Sequence, residues 1–437
     1  MITASGRGFS HGIRPGVIAA VLLLAATSLR GAGENAIDIA VPGRSNAYPS
    51  VTADGSHVAL AWGATTAEGA TDVYTAVSRD GGRSFAAPVR VSAMPANLSG
   101  EQPPAIALVP RAGHEPSVVV VWTAKSPDGT KLVSSRSDDG GRTFAAVVAV
   151  PGSEAGGNRG WESIVTERDG HVVAVWLDHR ELASSGHSMA MGADHQHAMG
   201  AENKTDAVTR AQRSKILFAR LDGQAGAQPI AGGVCYCCKT ALAAGANGGI
   251  YAAWRQVYAG NIRDIAFARS TDGRTFAPPE RVSEDNWMLD GCPENGPSLA
   301  VDARDRIQVV WPTLLPAADS TSEPTLALFY AMSADGWTFT PRARIPTQGA
   351  ARHPQVALGS RDELFIVWDE QDGATRRVAA ARARTGGSDP VTFVRQPMAD
   401  TGPAGYPVVA SVSDADVVAW TSGSGASSTI RLTRVAR

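Results

Sequence analysis

Val58-Ala-Leu-Ala-Trp62, a short apolar run ending in tryptophan, returns six more times along the chain. The copies are Val118-Val-Val-Val-Trp122, Val172-Val-Ala-Val-Trp176, Tyr251-Ala-Ala-Trp254, Gln308-Val-Val-Trp311, Phe365-Ile-Val-Trp368 and Val417-Val-Ala-Trp420. Seven of the ten tryptophans therefore share one repeat position. Runs this short and this rich in β-branched residues read as buried strands. About ten residues upstream of each lies another strand, often opened by proline. These are Pro49-Ser-Val, Pro104-Ala-Ile, Glu162-Ser-Ile, Thr240-Ala-Leu, Pro297-Ser-Leu, Pro354-Gln-Val and Pro407-Val-Val. A period of roughly 50–60 residues in all-β sequence predicts a β-propeller of four-stranded blades.

The third and fourth strands of several blades flank a further motif. Ser78-Arg-Asp-Gly-Gly-Arg-Ser-Phe85 and Ser137-Asp-Asp-Gly-Gly-Arg-Thr-Phe144 have versions one residue shorter in Ser270-Thr-Asp-Gly-Arg-Thr-Phe276 and Ser333-Ala-Asp-Gly-Trp-Thr-Phe339. An Asp followed by Gly closes a tight hairpin, because the carboxylate accepts local N–H groups and Gly tolerates φ > 0. These segments resemble the Asp boxes of the sialidase-like (BNR-repeat) family. Sialidases have six blades, whereas seven Trp-ended strands predict seven here. Six blades plus an accessory strand pair is the alternative. The last copy has only three strands of its own, and Ala36-Ile-Asp-Ile-Ala-Val41 is expected to supply the fourth by pairing with Thr429–Arg434.

Composition agrees with many short strands: 46 Gly, 26 Pro and a formal charge of only −2. Near-neutrality excludes the basic footprint of nucleic-acid binding. Arg7 and Arg14 precede an apolar run, Val17 to Ala26, too short to span a bilayer, and small residues follow. Residues 1–33 thus read as a signal peptide, and 34–437 as a single propeller domain, periplasmic or secreted, with no membrane span. An insertion at about 181–213 separates the second and third strands of blade 3.

Rare residues concentrate on one predicted face. The insertion carries His187, Met189, Met191, His195, His197 and Met199, three of the nine histidines and three of the eight methionines. Cys235, Cys237 and Cys238 precede the inner strand of blade 4, and Cys292 precedes that of blade 5. Thiolate, thioether and imidazole form a soft ligand set that favours copper, with zinc an alternative. Four cysteines in an exported chain are equally the makings of two disulfides, one of which would staple blade 4 to blade 5. The Cys-x-Cys-Cys segment, followed about one blade later by Cys292-Pro-Glu-Asn-Gly-Pro297, resembles a bacterial group within the sialidase-like family.

That resemblance implies a carboxylate clamp of three arginines, a Tyr nucleophile activated by Glu, and an acid/base Asp. One family arginine enters the first inner strand, where this chain reads Ala47-Tyr48-Pro49-Ser50, so sialidase activity is not expected. Arg180, Arg255, Arg263 and Arg352 map to the metal-bearing face and are candidate contacts for a small acidic or glycan ligand. Two classes follow: an exported propeller binding copper through the His/Met-rich loop and nearby cysteines, or a glycan-binding or glycoside-cleaving propeller.

Overall fold

The computed structural model describes residues 36–183, 204–223, 225–317, 323–359, 362–385, 390–398 and 401–437. These form seven four-stranded antiparallel sheets, each a blade. Blade 1 runs Ser45–Asp54, His57–Thr65, Thr71–Ser78 and Val89–Arg90 from axis to rim. The first strand of every blade contacts its counterparts on both sides, and Ser45–Asp54 meets Ala404–Ser411 to complete the ring. Outer strands are short: those of blades 1, 2, 4 and 5 have two residues each, so little pairing edge is exposed at the rim.

Blade 7 is composed from both ends of the domain. Ile37–Ile39 pairs with Thr429–Ala436 in the register Ile37↔Leu432, Asp38↔Arg431, Ile39↔Ile430, as expected from the sequence. Asp38 receives two hydrogen bonds from Arg431 at 2.8 Å, and Ile39 joins a core of Val58, Leu60, Trp62 and Val417 that spans blades 7 and 1.

The repeated tryptophans are the wedges of the ring. Six are fully buried and Trp420 is 2% exposed. Most find an acceptor for the indole N–H, as a buried indole must. Trp176, Trp254 and Trp368 donate to Asp178, Gln256 and Glu370, two residues further on, and Trp62 donates to Asn46.

The Ser-x-Asp hairpins close as their chemistry requires. Asp139 accepts the N–H groups of Arg142 and Thr143 at 2.9 Å and the hydroxyls of Ser137 and Thr143. Thr143 and these other donors hold its carboxyl well below the usual range. Gly140 and Gly141 both have positive φ in the same turn. Asp80, Asp272 and Asp335 repeat the arrangement.

The insertion in blade 3 begins and ends in helix, Arg180–Ala183 and Lys204–Gln212. His187, Met189, Met191, His195, His197 and Met199 lie outside the described residues. Among the described residues no helix is long and apolar enough to cross a membrane.

Candidate functional site at the mouth of the central channel

Where the inner strands begin, four blades share an irregularity. The ladders skip between Ala47 and Ser50, Gly160 and Ser163, Arg352 and Gln355, and Gly405 and Val408. In each, two residues oppose one, and that one is the repeated tryptophan (Trp62, Trp176, Trp368 or Trp420). The first residue of each bulge is Tyr48, Trp161, His353 or Tyr406, all with φ between 50° and 61°. Bulky residues rarely adopt this left-handed conformation, and its cost of order 1–3 kcal/mol is typically retained at functional positions. Proline follows three of the four, which suits a position where no ladder N–H is needed. The bulges re-aim Tyr48, His353 and Tyr406 toward one another.

These rings meet. The His353 ring lies 4.3 Å from that of Tyr406, which makes an edge contact with Tyr48 at 5.7 Å. Behind His353, its Nδ1 is 2.7 Å from an Asp369 carboxylate oxygen, and Arg376 approaches the other oxygen at 3.3 Å. A carboxylate at Nδ1 fixes the imidazole orientation and leaves Nε2 facing forward. Nε2 stands 3.9 Å from Glu101 of blade 2. The second Glu101 oxygen accepts the N–H groups of Lys239 at 3.0 Å and Gly296 at 2.9 Å, so this carboxylate ties blade 2 to blades 4 and 5. Gly296 is required: a Cβ there would lie 2.2 Å from the Lys239 carbonyl oxygen. Burial pushes the Tyr48 and Tyr406 hydroxyls up, keeping both protonated.

The four candidate arginines separate. Arg180 pairs with Asp178 at 2.7 Å and donates to the Gly152 carbonyl. Arg255 is fully buried and spends its donors on the carbonyls of Asn295, Arg263 and Pro312. Arg263, also buried, donates to Leu289 and Asn261 and approaches the Cys235 sulfur at 3.1 Å. The donors of these three arginines are engaged within the protein. Arg352 differs. Half-buried beside His353, it has no hydrogen-bond or ion-pair partner among the described residues, and burial together with Arg376 weakens its hold on the proton. Tyr48, His353, Asp369, Tyr406 and Glu101 were missed, although an aromatic or His before the strand-opening Pro was a readable signal.

Beside this mouth, a cleft of about 300 Å³ opens between blades 2 and 3, lined by Asn97, Gln102, Lys125, Asn158 and Trp161. Behind Trp161, His179 is buried with neither ring nitrogen hydrogen-bonded, and burial lowers its pKa to about 4. Glu162, the second residue of the blade 3 bulge, accepts the Thr123 hydroxyl, and its burial raises the carboxyl to about 7.

The cysteines gather next to the mouth. Cys237 is bonded to Cys292 with Cα atoms 6.2 Å apart, joining the approaches to blades 4 and 5. Cys235 and Cys238 are free and buried. The Cys235 sulfur is 3.8 Å from those of Cys237 and Cys238, and the three sulfurs lie within 4.8 Å of one another, a spacing able to coordinate a metal ion. Burial opposes ionisation of both thiols, but the Cys238 S–H and the cations Arg263 and Arg255 bring Cys235 down to about 6, while Cys238 is pushed up.

The fold and the site thus define a seven-bladed propeller with a polar, aromatic-lined channel mouth. No family model matches the chain, and no curated protein does. Solved structures of carbohydrate-active enzymes are similar in fold. An alpha-L-arabinofuranosidase from Fusarium graminearum is 12% identical, with TM-score 0.50 over 93% of this chain and 98% of that one. The polysaccharide lyase Uly1 is 11% identical, with TM-score 0.54 over 92% and 99%. An ulvan lyase of family PL25 is 9% identical, with TM-score 0.54 over 92% and 96%. At such identities the likeness is one of fold.

Proposed function

We propose that the protein is an exported, carbohydrate-active propeller that binds an acidic saccharide at the channel mouth and cleaves it by acid–base chemistry. One observation carries this: His353, oriented by Asp369 at 2.7 Å, lies 4.3 Å from the ring of Tyr406, next in the chain to Arg352, whose side chain has no hydrogen-bond or ion-pair partner among the described residues. Arg352 would neutralise a sugar carboxylate, His353 would accept a proton from the substrate, and the protonated Tyr406 would donate one to the leaving oxygen. Trp161 and the amides of the adjoining cleft suit a neighbouring sugar unit. The similar folds of an arabinofuranosidase and two polysaccharide lyases support a saccharide ligand. The four Ser-x-Asp hairpins are the ground for grouping the chain with sialidase-like Asp-box proteins. Export rests on residues 1–33, and cell fractionation tests it.

The test is incubation with uronate-containing and neutral polysaccharides, following both new reducing ends and the unsaturated-uronate absorbance that elimination creates. Cleavage of an acidic substrate, lost in His353→Ala, supports the proposal. No cleavage and no binding of any acidic polysaccharide overturns it.

A second reading has its own observation, the three clustered sulfurs, which suit a soft ion such as copper. Metal analysis of the purified protein, before and after Cys235→Ser, tests it.

A further inference from the structure

Three features of the cysteine cluster stand together. Its sulfurs are unequally accessible: Cys235 and Cys238 are 1% exposed and Cys237 6%, whereas Cys292 is exposed. Its dimensions suit a metal, because a metal–sulfur bond of about 2.3 Å sets sulfur–sulfur edges of about 3.8–4.0 Å in trigonal or tetrahedral coordination. Both edges at Cys235 measure 3.8 Å. Its wall carries compensating charge: Arg263 touches the Cys235 sulfur at 3.1 Å, and Arg255 backs the neighbouring Asn295, whose N–H points at the Cys238 sulfur at 3.4 Å. A buried site of three or four thiolates with a monovalent or divalent d10 ion carries excess negative charge, and buried guanidiniums offset it.

On the reading that these sulfurs are metal ligands, we infer that Cys292 is the fourth ligand and that the Cys237–Cys292 disulfide locks the site. In the locked state only Cys235 and Cys238 can ligate. A dithiol reductant reaches the exposed Cys292 end, where its thiolate attacks the sulfur, forms a mixed disulfide and expels Cys237 as thiolate. The second thiol of the reductant resolves that intermediate. The reductant leaves as its disulfide, two electrons having passed to Cys237 and Cys292. Four thiols then surround one position, and a soft d10 cation, Cu(I) or Zn(II), binds as the ligating thiols release their protons to solvent. Cys292 swings in as both ligand and cover.

The experiment titrates Cu(I) and, separately, Zn(II) into the full chain by chelator competition. Oxidised protein is compared with protein reduced by dithiothreitol and desalted anaerobically. Reduced protein is expected to hold about one ion at least 100-fold more tightly than oxidised protein. Cys292→Ser, which frees Cys237 without reductant, is expected to bind with no reduction step. Alkylation after metal loading provides a second readout that needs no variant: four thiols should be shielded in the loaded protein and exposed on chelation. Equal affinity of oxidised and reduced protein overturns the lock and leaves a site of Cys235 and Cys238 alone. Failure of every form to bind either cation overturns the metal reading itself.

Discussion

The carboxylate of Glu101, just before the first strand of blade 2, accepts at 3.0 Å the backbone N–H of Lys239, just before the first strand of blade 4. The same oxygen takes the Gly296 N–H of blade 5. The mouth is therefore braced by an acceptor shared between blades, and a buried donor deprived of its acceptor costs about 1–3 kcal/mol. Glu101→Ala is expected to lower the thermal midpoint by several degrees. Glu101→Gln, which keeps a carbonyl acceptor, should lower it much less. Equal midpoints for the two variants would remove the brace from the account.

At the proposed site, His353→Asn should reduce turnover of an acidic saccharide about 100-fold or more with a small change in KM, since a positioned acid or base contributes on that scale. Arg352→Met should act mainly on KM. Its effect should shrink as salt rises, because a half-buried cation facing a sugar carboxylate is screened. Steady-state kinetics at two ionic strengths separate the roles.

Glu162 has the opposite pH behaviour to an ion-paired carboxylate. Its folded pKa of about 7, caused by burial, lies above the ordinary value of 4.5, so the neutral form is the one that folding favours. Its contribution is fully present below pH 4.5 and is lost as pH rises toward 7. Glu162→Gln should therefore raise the thermal midpoint by a few degrees at pH 8 and hardly at all at pH 4. A pH-independent increment would show that the charge is not the cause.

Where the sialidase-like resemblance implies an arginine, the chain reads Ala47-Tyr48-Pro49-Ser50, and Tyr48 packs against Tyr406. No release from a fluorogenic sialoside is expected, and turnover that depends on Arg352 would refute this.

The architecture was open to sequence reading because it depends on local, repeated chemistry. Tryptophan ends seven strands, Asp-Gly closes four hairpins, and one unmatched strand at each end of the domain demanded a partner. The site was not, because it depends on register. A two-for-one bulge opposite Trp368 turns His353 toward Tyr406, and nothing in the spacing of Phe365-Ile-Val-Trp368 announces it. Likewise, the sequence places an arginine only by its position along the chain. Whether a guanidinium faces a ligand or a carbonyl is settled by packing: among the described residues Arg255 meets four backbone acceptor contacts and Arg352 none. The cysteines fell between these cases, with proximity readable and the Cys237–Cys292 pairing not.

Deleting Ile37–Ile39, or replacing Asp38 with Lys, should leave Thr429–Ala436 as a bare pairing edge and promote aggregation, measured by light scattering during thermal unfolding. Unchanged solubility would mean that the edge is protected otherwise.

The pairing of Asp38 with Arg431 joins residues 393 positions apart. Closing a loop of that length costs about 3 kcal/mol more chain entropy than closing a ten-residue hairpin. Individual blades, held by neighbours in sequence, can form while the chain is still being completed, but the ring cannot. Ring closure is thus expected to come late in folding, and until it happens the first and seventh blades would be open to partners other than each other.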